Sequence, residues 1–424
     1  HKNNDVDSST KKRVPPIMVI DSEDEHDNGN KKYRMPGEFE YHEGTWLQWP
    51  HNYGWDPNHV DRYERIWIQI TKALCTGENV HIIVYNREEY IRVKKLLIQE
   101  EGNALSDCIE QNLFRIDFHQ WHTDDVWIRD NGPIFVAVDD DENNEKKSRR
   151  NLSLFSKKSE ENNDEDKQDI LGTRTSSKLR ITNWVFNAWG QKAECYYDNY
   201  IPIRVGAVLD LPVFDISMVL EGGSIEVDGR GTLMAKKSSI LNSNRNDGWE
   251  QTDVEAYLSR YLGVSNFIWL KGRKSNKDDI TDDHIDGTAR FANEDTIVTF
   301  YPKDFIDPKE YNILKSATDA NNKPYKIVHL PLTKKKIKSL GNDYGVYINY
   351  YIGNDVVLVP IYNDPNDTVA LNILKNLYNY DVTKNNNSIR KNHYNQRRRV
   401  ISIECTELAK DGGMIHCVTQ QQPA

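Results

Sequence analysis

The chain has 424 residues and a formal charge of −10, from 65 acidic and 55 basic side chains. That balance speaks against a nucleic-acid partner and mildly favours a cationic small molecule, and no apolar run approaches the ~18 residues that a membrane span needs. Five cysteines (Cys75, Cys108, Cys195, Cys405 and Cys417) form no Cys-x-x-Cys pair, which argues against a zinc knuckle or a dense disulfide framework and leaves one unpaired in a monomer.

Residues 1–32 are polar and nearly free of apolar side chains, so they read as a disordered tail. They are not signal-like, and a cytoplasmic location is expected, although a start at His1 leaves a removed leader open. Residues 61 to 76 place Tyr63, Ile66, Trp67, Ile70 and Leu74 on one helical face before Gly77, and Val80 to Tyr85 follows as a strand. A weaker copy runs from 88 to 99 and into Phe114 to Phe118. Residues 139–179 read as a polar surface insertion. A helix is expected near 193 to 203, and Ser224 to Val227 turns through Asp228-Gly229 into Thr232 to Ala235 as a hairpin. Residues 252 to 262 form a helix opened by a Thr252 to Glu255 capping box and stopped at Gly263, with Asn266 to Leu270 as the next strand. Asp307 and Pro308 open a helix to 319 before the strand Tyr325 to Leu330. Val346 to Ile352 turns through Gly353-Asn354 into Val356 to Ile361, and a helix follows at 367 to 378. Residues 383–399 are a second polar insertion; the runs Lys334 to Lys336 and Arg397 to Arg399 read as solvated surface. Helices followed by strands recur five or six times, which fits repeated α/β modules better than one long parallel sheet.

Four segments carry candidate chemistry. In WIRDNGP (Trp127 to Pro133), Asp130 is either a strand-end carboxylate facing a cleft or a turn cap. In LEGGS, Glu221 precedes Gly222-Gly223 at a strand entrance. In DDHIDG, His284 and Asp286 share a face if the backbone is extended; with Asp282 and Asp283 they also make an acceptable metal-ligand set, but no HExxH, CxxC or EF-hand spacing supports one. The closing GGMIHCVTQQQPA sets Cys417 between glycines and a run of amides, where a thiol is either a nucleophile or a buried structural group. No P-loop or GxGxxG fingerprint is present, and nothing demands a cofactor. A thiol surrounded by carboxylates suits a planar cation: paired carboxylates grip guanidinium nitrogens bidentately, and an indole can lie against the cation's face.

WIRDNGP, NWVFNAWG (Asn183 to Gly190), LEGGS, LNSNRN (Leu241 to Asn246), HIDGTARF (His284 to Phe291) and HCVTQQQP occur in order along a chain that opens with MPGEFEYHEGTWLQWP (Met35 to Pro50). Together they resemble the guanidino-group-modifying enzymes, closest to the agmatine deiminase and Porphyromonas-type peptidylarginine deiminase family. The resemblance implies a pentein-type α/β propeller, with pseudo-fivefold ββαβ modules around a central active-site channel, as a single catalytic domain over 33–424. It implies Cys417 as nucleophile, His284 as general acid and then base, Asp130 and Asp286 as guanidinium clamps, Glu221 as a further active-site carboxylate and Trp127 as a pocket wall. No metal or cofactor is implied, and the partner is a small cationic guanidine; a homo-oligomer is open. The reaction would turn agmatine into N-carbamoylputrescine and ammonia, a step of polyamine biosynthesis. Agmatine deiminases carry a Glu four residues before the catalytic His, near the substrate amine, whereas Ile280 stands there and cannot pair an ammonium. Peptidylarginine is therefore the alternative substrate, amidinotransfer is a third reading, and a catalytically inactive propeller acting as a binding module is the reading from another class.

Overall fold

The helix His59–Leu74 shows how the pattern becomes structure: Tyr63, Ile66, Trp67, Ile70 and Leu74 are all buried on its inner face, as the apolar spacing requires. In the computed structural model, residues 32–54, 58–99, 116–139, 179–273, 279–305, 307–339, 342–379 and 397–424 are described. The bulk of the tail 1–32, and of the insertions 139–179 and 383–399, lies outside them. So does Cys108.

Five of the sheets repeat one plan, in which an antiparallel pair is followed by a crossover helix and a third, parallel strand. Ile134–Asp139 pairs antiparallel with Leu179–Val185, which pairs parallel with Val213–Val219 after the helix Ile201–Leu209. Ile225–Val227, Thr232–Lys236 and Asn266–Leu270 repeat the order around Gln251–Leu262. Ala289–Asn293, Thr296–Phe300 and Lys326–Leu330 do so around Pro308–Ser316, and Tyr351–Ile352, Val356–Ile361 and Arg399–Glu404 around Asp367–Tyr378. The fifth joins the chain ends: Gln420–Pro423 pairs antiparallel with His42–Gln48, which runs parallel to Asn79–Val84 across His59–Leu74. The repeated α/β modules expected from the sequence are thus present. An apolar cluster that includes Trp67, Ile82, Val298, Tyr350, Val357, Cys405 and Val418 connects several of them. No helix among the described residues is long and apolar enough to cross a membrane.

Several expected elements shift, each for a local reason. The capping box is formed by Glu250 and Asp253, not Thr252 and Glu255; Glu255 instead accepts from Gln251 and from the indole of Trp269, both at 2.7 Å. The stop at Gly263 holds, with φ 70° and a position where a Cβ would sit 1.6 Å from the carbonyl of Tyr33. The helix expected near 193 to 203 starts later, because the Asp124 carboxylate takes the amides of Tyr197 and Asp198 and Pro202 seeds the first turn of Ile201–Leu209. The helix from Pro308 ends at Ser316, where Thr318 bridges to Pro324 and Asp319 gathers the amides of Asn321 and Lys323. Val346 to Ile352 is not one strand. Asn342–Val346 pairs with Leu332–Ser339, and Tyr351–Ile352 pairs with Val356–Ile361, leaving Asn349 in a turn between them. Lys334, Lys335 and Lys336 are exposed, as expected. Arg398 is not: it is buried, donating to the carbonyls of Gly353 (2.7 Å) and Phe39 (2.6 Å), so the arginine run is only partly surface.

Candidate active site

A one-turn segment or bend precedes the first strand of every module, and each carries a polar side chain toward a common site. Ile128–Asn131 holds Asp130 before Ile134–Asp139, and Glu221 caps the turn Gly222–Ser224 before Ile225–Val227. His284 caps Ile285–Gly287, which contains Asp286, before Ala289–Asn293. Asn349 precedes Tyr351–Ile352, and Cys417 lies in His416–Val418 before Gln420–Pro423. His284 and Asp286 are therefore brought together by a 3-10 turn, which corrects the extended backbone inferred from their spacing.

The five candidate side chains from the sequence converge. Asp130 accepts from the Gly223 amide at 3.0 Å and lies 3.6 Å from His284 Nδ1, while Glu221 Oε2 lies 3.5 Å from His284 Nε2. Cys417 Sγ is 3.8 Å from Asp286 Oδ2 and 3.5 Å from Asn349 Oδ1. A Cβ on Gly223 would meet Asp130, His284 and Asp286 together, so glycine there leaves the centre of the site open. All of these residues are nine-tenths or more buried. Within the site, Asp286 Oδ1 has no hydrogen-bond partner among the described residues, and His284 Nε2 has only Glu221 at 3.5 Å. Buried polar groups are rarely left so, and Asp286 Oδ1 is free to take a ligand donor.

Trp127 packs its ring on Gly413, whereas the indole that touches Asp130 is that of Trp189, whose Nε1 donates to Asp130 Oδ2 at 2.9 Å. Trp189 sits in a left-handed stretch of NWVFNAWG (φ 55°). Sequence reasoning passed over it, and over Asn349, Glu38, His416 and Arg245. Arg245, from LNSNRN, binds Glu221 and Asp282 and is fully buried. The strand repeat was the available signal for Asn349, since it occupies in the fourth module the place of the site residues in the others.

Asp282 and Asp283 do not join the site. Asp282 pairs with Arg245 (2.8 Å) and Lys192 (2.7 Å), and Asp283 with Lys236 (2.6 Å) and Arg273 (3.0 Å). The metal set considered for DDHIDG is thus replaced by ion pairs, and no group of three or more potential ligands is placed to hold a metal among the described residues. The closing glutamines serve structure: Gln420 donates to Pro133 O (2.6 Å), Gln421 accepts from Arg129 (2.8 Å) and Gln422 from Trp46 (2.9 Å). Arg129 likewise ties Glu38 and the His416 carbonyl in place.

Carboxylates dominate the charges that act on His284 and Cys417. Burial works against charge on His284, but Asp130, then Glu221 and Asp286, outweigh it and raise its pKa to about 9. Burial, then Asp286 and Asp130, push the Cys417 thiol well above its usual range. Burial also raises Asp130, whereas Arg245 and His284 overcome burial to hold Glu221 low.

The turn at Gly222 has no room to change. An added Cβ would lie 2.1 Å from the Arg129 carbonyl, a backbone atom that cannot swing aside. Gly222→Ala is expected to cost about 1–3 kcal/mol of stability, read as a lower thermal midpoint, because overpacking forces a backbone shift. An unchanged melting curve would contradict this packing.

The model of the Porphyromonas-type peptidyl-arginine deiminase family matches residues 34–423. A protein of Legionella pneumophila (strain Paris) named "Putative agmatine deiminase" is 28% identical over 404 residues, covering 92% of this chain and 95% of its own. The structure of the "Putative Arginine Deiminase" of Porphyromonas gingivalis is 27% identical with a TM-score of 0.68, covering 92% of this chain and 98% of that one. The agmatine deiminase of Enterococcus faecalis is 22% identical with a TM-score of 0.67 over 92% of this chain and 96% of that one, a likeness of fold.

Proposed function

The chain belongs to the Porphyromonas-type peptidyl-arginine deiminase family, and on that premise we propose that it hydrolyses the guanidinium group of agmatine to N-carbamoylputrescine and ammonia. The observation that carries this is the buried acidic site in which Cys417 Sγ lies 3.8 Å from Asp286 while Asp130 and Glu221 flank His284. Asp130 and Asp286 would hold guanidinium nitrogens, fixing the central carbon for attack. The carboxylates that keep the thiol neutral in the free site are offset by the cation, so binding itself favours the Cys417 thiolate. Cys417 Sγ adds to the guanidinium carbon, and the His284 imidazolium gives its proton to the departing nitrogen, which leaves as ammonia. A water then loses a proton to neutral His284 and adds to the S-linked thiouronium. The C–S bond breaks, returning the thiolate to a site whose His284 is again charged, and the remaining hydroxyl proton passes to solvent, leaving the neutral ureido product. No step calls on a metal, and EDTA is expected to leave the rate unchanged.

Five modules that each contribute one loop to a single site also support the finer fold reading, a pseudo-fivefold propeller around a channel, in one catalytic domain over residues 33–424.

Ile280 keeps peptidylarginine as a second reading. Its carbonyl accepts from Lys192 Nζ at 2.8 Å, and that lysine pairs with Asp282 at 2.7 Å, so the position itself offers a substrate ammonium no free carboxylate. Ammonia release from agmatine, free arginine and arginine peptides decides between the two. Agmatine should have the highest kcat/KM, with only about tenfold selectivity over uncharged alkylguanidines for want of an ammonium clamp. A higher kcat/KM for an arginine peptide would replace agmatine with the second reading.

A further inference from the structure

Behind the nucleophile, the side chain next to it in sequence makes a bridge that the reaction scheme above does not use. His416 Nδ1 lies 2.8 Å from Asp286 Oδ2 and its Nε2 lies 2.8 Å from Glu38 Oε2. We propose that His416 is a positioning residue, whose ring holds Asp286 Oδ2 and so fixes the carboxylate beside Cys417 in the orientation that receives the substrate guanidinium. This rests on the guanidine-hydrolase reading of the site.

Glu38 is the anchor of the bridge. It accepts from Arg129 Nη2 (3.1 Å) and the Ile352 amide (2.9 Å), and it pairs with Arg290 Nη2 (2.8 Å). So many donors leave the carboxylate no freedom to rotate. Burial opposes its charge, but Arg290, His416 and Arg129 hold it well below the usual carboxylate range. Asp286 is also held low, burial being outweighed by His416, His284 and Arg290. An ionised carboxylate only accepts, so a ring lying between two of them satisfies both when both of its nitrogens carry hydrogen. Asn349 Nδ2 adds a second donor to Asp286 Oδ2 at 3.1 Å and receives the His416 amide on its Oδ1, also at 3.1 Å.

The result is asymmetric. Asp286 Oδ2 is held by His416 and Asn349 and faces Cys417 Sγ, while Oδ1 is buried without a hydrogen-bond partner among the described residues. A free carboxylate would turn to share its donors between both oxygens. The bridge prevents that and keeps one oxygen unpaired, which costs stability unless a ligand supplies the missing donor. It also fixes Asp286 beside Cys417 Sγ, so clamp and nucleophile are held by adjacent residues of one turn.

The test is agmatine binding, by calorimetry, to the Cys417→Ala protein and to the same protein carrying His416→Gln, Asp286→Asn or both. Each single change should weaken binding by about tenfold or more, and the pair should bind no worse than Asp286→Asn alone, because His416 acts through that carboxylate. Full additivity, or unchanged affinity in a folded His416→Gln protein, overturns the proposal. A folded Cys417→Ala protein that binds no agmatine would count against the substrate reading instead. If His416→Gln fails to fold, nitrogen spectra of labelled histidine in the Cys417→Ala protein serve in its place. With the ring of His416 assigned through its backbone, hydrogen-bond signatures at both Nδ1 and Nε2 are expected, and a ring nitrogen that makes no hydrogen bond overturns the bridge.

Discussion

Cys417→Ala is expected to lower turnover by on the order of 10⁴-fold or more while the fold survives, since the covalent route is lost and no neighbouring group can replace it. The thiol's polar side-chain neighbours include Asp286 and Asn349, and neither can act as a nucleophile toward a guanidinium that the same carboxylate must hold. Structurally the change is small. Cys417 lies in a turn whose backbone is set by Asn349, Arg129 and Thr419, and removing one sulfur should cost only about 1 kcal/mol. Ammonia release and a thermal melt measure the two effects separately. A residual rate of a tenth of wild type would show that another group attacks. Cys405 provides the contrast: it is fully buried in the apolar core, where burial keeps its thiol neutral, and Cys405→Ser should retain turnover at some cost in stability.

What the sequence revealed and what it hid follow from the same physics. Crossover helices were legible because their apolar spacing is dictated by burial on one face, as in His59–Leu74. The two-stranded entry to the fourth module was not. Val346 to Ile352 has strand character interrupted only by Asn349, and one strand-depleted residue among β-formers is too weak a signal to mark the break that carries Asn349 to the site. The catalytic candidates were found because Cys417, His284, Asp130, Asp286 and Glu221 are chemically reactive types beside glycines and turns. The residues that orient them were missed because their role exists only in three dimensions: Glu38 reaches His416 across most of the chain, and Trp189 reaches Asp130 from a left-handed turn. Asp282 and Asp283 erred in the opposite direction. They look like ligands in sequence, but Arg245, Lys192, Lys236 and Arg273 come from distant segments to neutralise them.

Asp130→Asn should lower kcat/KM by at least about 10²-fold, because it removes half of the guanidinium clamp and leaves an amide hydrogen facing a donor. Asp130 now accepts from Gly223 N and Trp189 Nε1 with separate oxygens, and an Asn side chain can accept from only one of them. The substitution should also move a pH limb. Among the charges that raise His284 to about 9 against its burial, Asp130 is the largest, so without it the imidazolium gives up its proton at lower pH. The sign follows from the reaction: the first step needs charged His284, so wild-type kcat/KM should fall as pH rises through about 9, and the Asp130→Asn protein should begin to fall earlier. The same shift contributes to stability, in full below the ordinary histidine value of ~6.5, and is lost as pH rises from there through about 9. The Asp130→Asn protein should therefore melt with a weaker alkaline dependence across that window. A pH–rate profile whose alkaline limb stays in place in a folded Asp130→Asn protein would assign that limb to a group other than His284, and with it the proton that leaves with ammonia.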